Sequence, residues 1–189
     1  MTALLRLESV VLHRGGRLLF DGIDLTLEAG EALHLRGPNG SGKSSLIRLA
    51  AGLLRPQSGR VARSKVALAD DSTALDSEWP LRRALRFWSG LAGADARIDE
   101  AIAALGLTDL SHVPVRLLSS GQAKRAALAR VLASEARLWL LDEPLNGLDA
   151  QSVTRLDKAI VRHRQAGGAV LAASHGPLAG RWTSLDLGA

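Results

Sequence analysis

Residues 35–46 read LRGPNGSGKSSL, an apolar lead-in, a glycine-rich loop, a lysine and two serines. The spacing from Gly37 through Gly42 to Lys43 and Ser44 fits G-x-x-x-x-G-K-[ST] without a gap. Glycines at 37, 40 and 42 let the backbone curl so that successive N–H groups face phosphate oxygens, and a helix starting near Ser44 adds its positive end. The segment Gly37-Pro38-Asn39-Gly40-Ser41-Gly42-Lys43-Ser44-Ser45 is therefore a candidate nucleotide cradle. Lys43 is suited to the β- and γ-phosphates and the Ser44 hydroxyl to Mg²⁺. The plain alternative is a glycine turn between strand and helix, and a full eight-residue match in that context counts against it.

A second stretch, LWLLDEP at 138–144, is a buried strand delivering two adjacent carboxylates. Asp142 is placed for the metal shell and Glu143 for polarising an attacking water. By itself the pair reads equally well as a strand meeting a turn. With the phosphate loop it completes the requirements of phosphoryl transfer, a metal clamp and a water-positioning group.

The third stretch is Leu118-Ser119-Ser120-Gly121-Gln122, which opens a helix, with 20 residues from Gln122 to Asp142. It resembles the LSGGQ signature of ABC-type ATPases, with serine for the first glycine. Asn146-Gly147-Leu148-Asp149 falls where that family has its D-loop, and Asp149 matches its aspartate. His175 closes the apolar strand GAVLAAS, at the position of the family's switch histidine. The resemblance implies that Glu143 and His175 are catalytic, and that Ser119, Ser120, Gly121, Gln122 and Asp149 take part in nucleotide binding. It also implies ATP and Mg²⁺ as cofactors, with the signature facing a phosphate held by another copy of the ATPase in a head-to-tail sandwich dimer. Either Ser119 or Ser120 can also serve as a helix N-cap.

Two departures from the family stand out. Where an aromatic residue usually stacks on the adenine, the chain reads LHRGG, leaving His13 or Arg14 to stack instead. The Q-loop glutamine is missing after KVALA (65–69), and Asp70, Asp71 or Ser72 must cover its position. These features, and RLLFDGIDLTLEAGEALHLRGPNGSGKSSLIRLAAGLLRPQSGRV as a whole, are most similar to the ATP-binding subunits of cytochrome c biogenesis. That branch implies coupling to haem export or haem-chaperone release, through membrane permease subunits of the cytochrome c maturation system. Its location would be peripheral, on the cytoplasmic face of a bacterial inner membrane. Another bacterial exporter of drugs, lipids or peptides is the nearest alternative, and a soluble ABC ATPase of DNA repair or translation is the more distant one.

The elements that must position these residues follow from pattern. LRLESVVLH (5–13), IDLTLE (23–28), EALHLR (31–36), KVALA (65–69), RLWLL (137–141) and GAVLAAS (168–174) read as strands. SSLIRLAAGLL from Ser44, SSGQAKRAALARVLASEA (119–136) and DAQSVTRLDKAIVRHRQAG (149–167) read as helices. Residues 73–116 change character to alanine-rich, charged helices, including PLRRALRFWSGL and ARIDEAIAALGL. On the first of these, Leu81, Leu85 and Trp88 share a face, and Arg82, Arg83 and Arg86 project elsewhere. Strands alternating with helices argue for an α/β fold. With the resemblance, the expectation is a single nucleotide-binding domain over 1–189: a RecA-like P-loop core, an N-terminal antiparallel β subdomain and a helical subdomain inserted at 73–116.

Composition bounds the rest. An apolar share of 47% and a charged share of 23% suit a soluble globular protein, and no apolar run reaches bilayer-spanning length. MTALLRLESVVLHRGG lacks an uninterrupted apolar core and a small-residue cleavage site, so a signal peptide is not expected. There are no cysteines, hence no disulfide framework or thiolate metal site. The net charge of +5 invites a nucleic-acid reading. Its arginines are scattered among acids and alanines, however, and ordinary solvated faces are the better account, so no nucleic-acid partner is expected.

Overall fold

The computed structural model describes residues 3–89 and 95–187, which fold as two compact units. The first unit comprises residues 1–68, 136–143 and 162–189, and the second residues 69–135 and 144–161. Gly90 and Leu91, expected to end a helix, lie outside the described residues.

In the first unit, β1 (Ala3–Arg14) and β2 (Arg17–Glu28) form an antiparallel hairpin whose turn is Gly15-Gly16, both at positive φ. A third strand, β4 (Ser58–Arg63), pairs antiparallel with the other edge of β1. Pattern alone does not point to β4, because SGRVAR is a charged, mostly exposed strand with no apolar alternation.

The second sheet of this unit runs in the order β5 (Val66–Ala69), β6 (Leu138–Asp142), β7 (Ala169–Ala173), β3 (Ala32–Arg36), β8 (Thr183–Asp186). The pairs β6–β7, β7–β3 and β3–β8 are parallel. Every residue of β6 and β7 is buried, as expected of strands covered on both faces, which accounts for their unbroken apolar sequences. Helix α1 (Lys43–Ala51) packs on β6 and β7 through Leu46, Ile47, Leu49 and Ala50. It stops three residues earlier than its apolar periodicity suggests. Gly52 adopts a left-handed conformation there, and its N–H turns back to the Arg48 and Leu49 carbonyls.

The second unit is helical: α2 (Leu81–Ser89), α3 (Asp95–Ala104), α4 (Ser120–Leu132) and most of α5 (Ala150–Gln165), whose last turn belongs to the first unit. Helix α4 ends before its alanine-rich pattern does, where the Ser134 hydroxyl donates to the Val131 carbonyl. Leu81, Ala84 and Leu85 of α2 are buried against α3 and α4. Trp88, expected on the same face, is half exposed.

Candidate functional site

Parallel strands present their C-terminal ends on one edge of a sheet, which is where α/β folds bind ligands. Three adjacent strands do so here. The glycine loop follows β3, Glu143 follows β6, and His175 lies two residues past β7. They open onto a cavity of 410 Å³ lined by Arg14, Arg17, Leu19, Asn39, Gly40, Gly42, Lys43, Ser44, Ser45, Glu143 and His175.

The loop is shaped by its glycines. Gly37 sits at φ 138°, and any side chain there would run into the Leu187 carbonyl. Gly42 caps α1 in a left-handed conformation, with Phe20 packed where a Cβ would stand. No side chain caps α1 and no acidic residue lies in its first turn, so its positive end faces the cavity uncompensated. Lys43 is buried, and its Nζ donates to the carbonyls of Gly37 (2.7 Å) and Pro38 (3.0 Å). The lysine is thus folded inside its own loop, within reach of any anion the loop cradles. The Ser41 hydroxyl is buried without a hydrogen-bond partner, a further polar group waiting in the cradle.

Asp142 ends β6 buried, and the next residue turns sharply. Glu143 has a φ of 47°, a strained value for a side chain of this size, while its N–H still bonds the Ala173 carbonyl of β7. The strained turn lets the ladder continue for one more bond and brings the carboxylate to the cavity. There Glu143 Oε2 accepts the His175 N–H at 3.3 Å, and Oε1 lies 3.5 Å from His175 Nε2.

In the second unit, Ser119 is the N-cap of α4. Its hydroxyl accepts the Gln122 N–H (3.3 Å), and the Gln122 side-chain oxygen accepts the Ser119 N–H (2.9 Å). A Cβ at Gly121 would stand 2.9 Å from the Gly147 carbonyl, so the glycine there lets the two loops approach. Asp149 caps α5, accepting the Ser152 N–H at 2.7 Å, and this bond holds its carboxyl below the usual range. Where the Q-loop glutamine is missing, Asp70 Oδ1 accepts the Ser72 N–H, and Asp71 lies 3.9 Å from Lys124. The same unit carries an aromatic patch. Trp79 meets Phe87 edge-on and Phe87 meets Trp88 likewise, with Arg83 over Trp79 and Arg130 over Trp88. Phe87 is 68% exposed and Trp88 48%, which sets them apart from the buried Leu81 and Leu85.

The cavity thus gathers the core of the phosphate loop, Glu143 and His175. The signature residues and Asp149 are not among its lining. Arg17 is a lining residue that motif spacing does not single out, although R-G-G-R is a signal for it. A two-glycine turn pairs Arg14 with Arg17, and both residues line the cavity. Arg14 also donates to the Ser45 hydroxyl at 3.2 Å.

A P-loop opening a helix on a parallel sheet, a carboxylate pair ending a strand of the same sheet one strand removed and a capped serine-glycine signature together define a nucleotide-hydrolysing ATPase subunit. The sequence profile of the ABC transporter family matches residues 20–146. The Cytochrome c biogenesis ATP-binding export protein CcmA of Sphingopyxis alaskensis is 56% identical over 181 residues, covering 95% of this chain and 93% of its own. The protein of the same name from Novosphingobium aromaticivorans is 56% identical over 174 residues, covering 90% and 87%. Among solved structures, an ATP-binding subunit of an ABC transporter superposes with a TM-score of 0.85 at 22% identity, covering 91% of this chain and 79% of that one. The cbiO1 subunit from Clostridium perfringens gives 0.75 at 28%, covering 92% and 79%. The chain belongs to the ABC transporter family, in its CcmA-like branch. It is the ATP-driven subunit of a membrane transporter, and no helix among its described residues is long and apolar enough to cross a membrane.

Proposed function

We propose that this subunit couples ATP hydrolysis to haem export or haem-chaperone release in cytochrome c biogenesis, working at the cytoplasmic face of an inner membrane on permease subunits. The observation that carries the ATPase chemistry is the single cavity shared by the Lys43 loop, Glu143 and His175. The biogenesis role leans on relatives that match almost end to end.

In this reading the polyphosphate of ATP lies along Gly37–Ser45, and Lys43 exchanges its two carbonyl contacts for β- and γ-phosphate oxygens. Glu143 takes a proton from water as the water oxygen bonds the γ-phosphorus and the bond to the ADP oxygen breaks. His175 contacts the γ-phosphate and is aligned by its bonds to Glu143. Ser44 and Asp142 suit Mg²⁺. Among the described residues no group of three or more His, Cys, Asp or Glu could hold a metal ion without a ligand's help. When bound, the ion would neutralise charge on the phosphates. Ser120 and Gly121 at the head of α4, with Ser119, Gln122 and Asp149 supporting them, would face the nucleotide of a second copy in a head-to-tail dimer. The helical insert 73–116, with Trp79, Phe87 and Trp88, would receive the permease.

The test is genetic and biochemical together. Replacing the chromosomal gene by Lys43→Ala should abolish haem-stained c-type cytochromes, and the wild-type chain should co-purify in mild detergent with membrane proteins of that pathway. Normal c-type cytochromes beside the loss of some other exported compound would overturn the biogenesis role.

A further inference from the structure

The segment carrying His175 is fastened to the sheet by a residue outside the nucleotide cavity. His34 sits in the middle of β3, opposite Ala172 of β7. Its Nε2 lies 2.9 Å from the Ser174 carbonyl oxygen. A carbonyl only accepts, so Nε2 carries the proton and donates. Ser174 is buried and directly precedes His175, whose N–H donates in turn to Glu143. The Ser174 hydroxyl accepts the Gly176 N–H at 3.2 Å and closes the turn. From the far end of the same segment, Trp182 meets the His34 ring edge-on at 6.3 Å, with its own Nε1 donating to the Ala179 carbonyl. Both ends of residues 174–182 therefore converge on one imidazole.

Volume alone does not call for a histidine here. The neighbouring β3 residues Ala32, Leu33 and Leu35 are buried and apolar, and a leucine would fill the position without a polar ring to satisfy. What histidine adds is a proton aimed at the carbonyl that joins β7 to His175. We propose that His34 is a positioning residue for ATP hydrolysis, fixing the Ser174 carbonyl and so the direction in which His175 leaves the sheet toward Glu143. Without that donor the buried carbonyl must turn to find another partner, and the His175 N–H turns with it. The proposal rests on reading Glu143 and His175 as the hydrolytic pair.

Steady-state hydrolysis and ATP binding by the full chain test it, using His34→Leu, His34→Gln, His175→Ala and the double variant His34→Leu/His175→Ala. His34→Leu should lower kcat by about tenfold, the order of one hydrogen bond lost near the reacting groups, with ATP affinity unchanged. His34→Gln, whose amide can donate to the same carbonyl, should recover most of the rate. In the His175→Ala background, His34→Leu should have no further effect. Should His34→Leu not fold, His34→Asn, too short to reach Ser174, replaces it. Equal losses from His34→Leu in both backgrounds, or a folded His34→Gln as slow as His34→Leu, would make His34 a packing residue and overturn the proposal. Wild-type turnover by His175→Ala would overturn the site reading and the role of His34 with it. Slow His175→Ala beside unimpaired His34→Leu would overturn the role of His34 alone.

Discussion

Two helices begin at loops that a phosphate could approach, and their N-termini are built in opposite ways. Helix α1 starts from Gly42 with no capping side chain and no acidic residue, so the protein leaves its amide groups and dipole for a ligand. Helix α4 starts from Ser119 with a full capping box, in which Ser119 and Gln122 satisfy each other's backbone. A ligand is needed to complete the first terminus. The second is stable by itself, yet within the helix the amides of Ser120 and Gly121 have no carbonyl to bond. The difference separates a terminus left open at the cavity from one that closes on its own side chains.

The sharpest break in this comparison is at α1. Lys43→Ala should weaken ATP binding by roughly 100-fold, since the phosphate charge loses its principal partner and the open terminus alone remains, as calorimetric titration would read. Undiminished affinity would mean the loop is no cradle. Alanine at Phe87 or Trp88 should weaken permease binding by about 2 kcal/mol, the scale of an aromatic anchor, in a detergent pull-down titration with melting temperature unchanged. A lowered melting temperature with intact binding would return the aromatic patch to the subunit's own packing. For α4, Ser119→Ala should cost about 1 kcal/mol of stability in chemical denaturation and leave nucleotide affinity of the isolated chain alone, because its bond is made within the helix. The smallest expected effect concerns the base. Arg14 and Arg17 line the cavity in place of an aromatic plane, so ATP and GTP should compete within about tenfold of each other, a difference of at most one weak contact. A strong preference for ATP would assign base recognition to another group.

Much of the first unit is legible from sequence because its strands are buried on both faces. LWLLD and AVLAA are unbroken apolar runs followed at once by chemistry-bearing residues, and few structures besides a phosphate cradle need glycines and a lysine at the spacing of Gly37 to Lys43. The edge strands β4 and β8 are not legible, since SGRVAR and TSLD are mostly exposed and charged or polar, with nothing in their pattern to distinguish strand from loop. Helix α2 is legible as a helix but not in its facing. Trp88 follows Leu81 and Leu85 at helical spacing, yet it leaves the core to lie under Arg130, because a planar cation can cover an aromatic face as well as a leucine can. Of the site, His34 is hidden from the sequence. The bond of His34 goes to Ser174, 140 residues away, and one-dimensional spacing does not reveal such a partner, whereas Arg17 is signalled only by the R-G-G-R turn that pairs it with Arg14.

The central claim is that Glu143 drives hydrolysis while the nucleotide itself joins two copies. Size-exclusion chromatography of Glu143→Gln with ATP and Mg²⁺, beside a hydrolysis assay, tests both halves. The amide keeps the shape of the side chain but cannot take the proton from water, so turnover should fall by at least about 100-fold while ATP stays bound. The variant should then elute as a dimer with ATP and as a monomer without it. Hydrolysis at the wild-type rate, or a stalled variant that binds ATP and remains monomeric, would contradict the account.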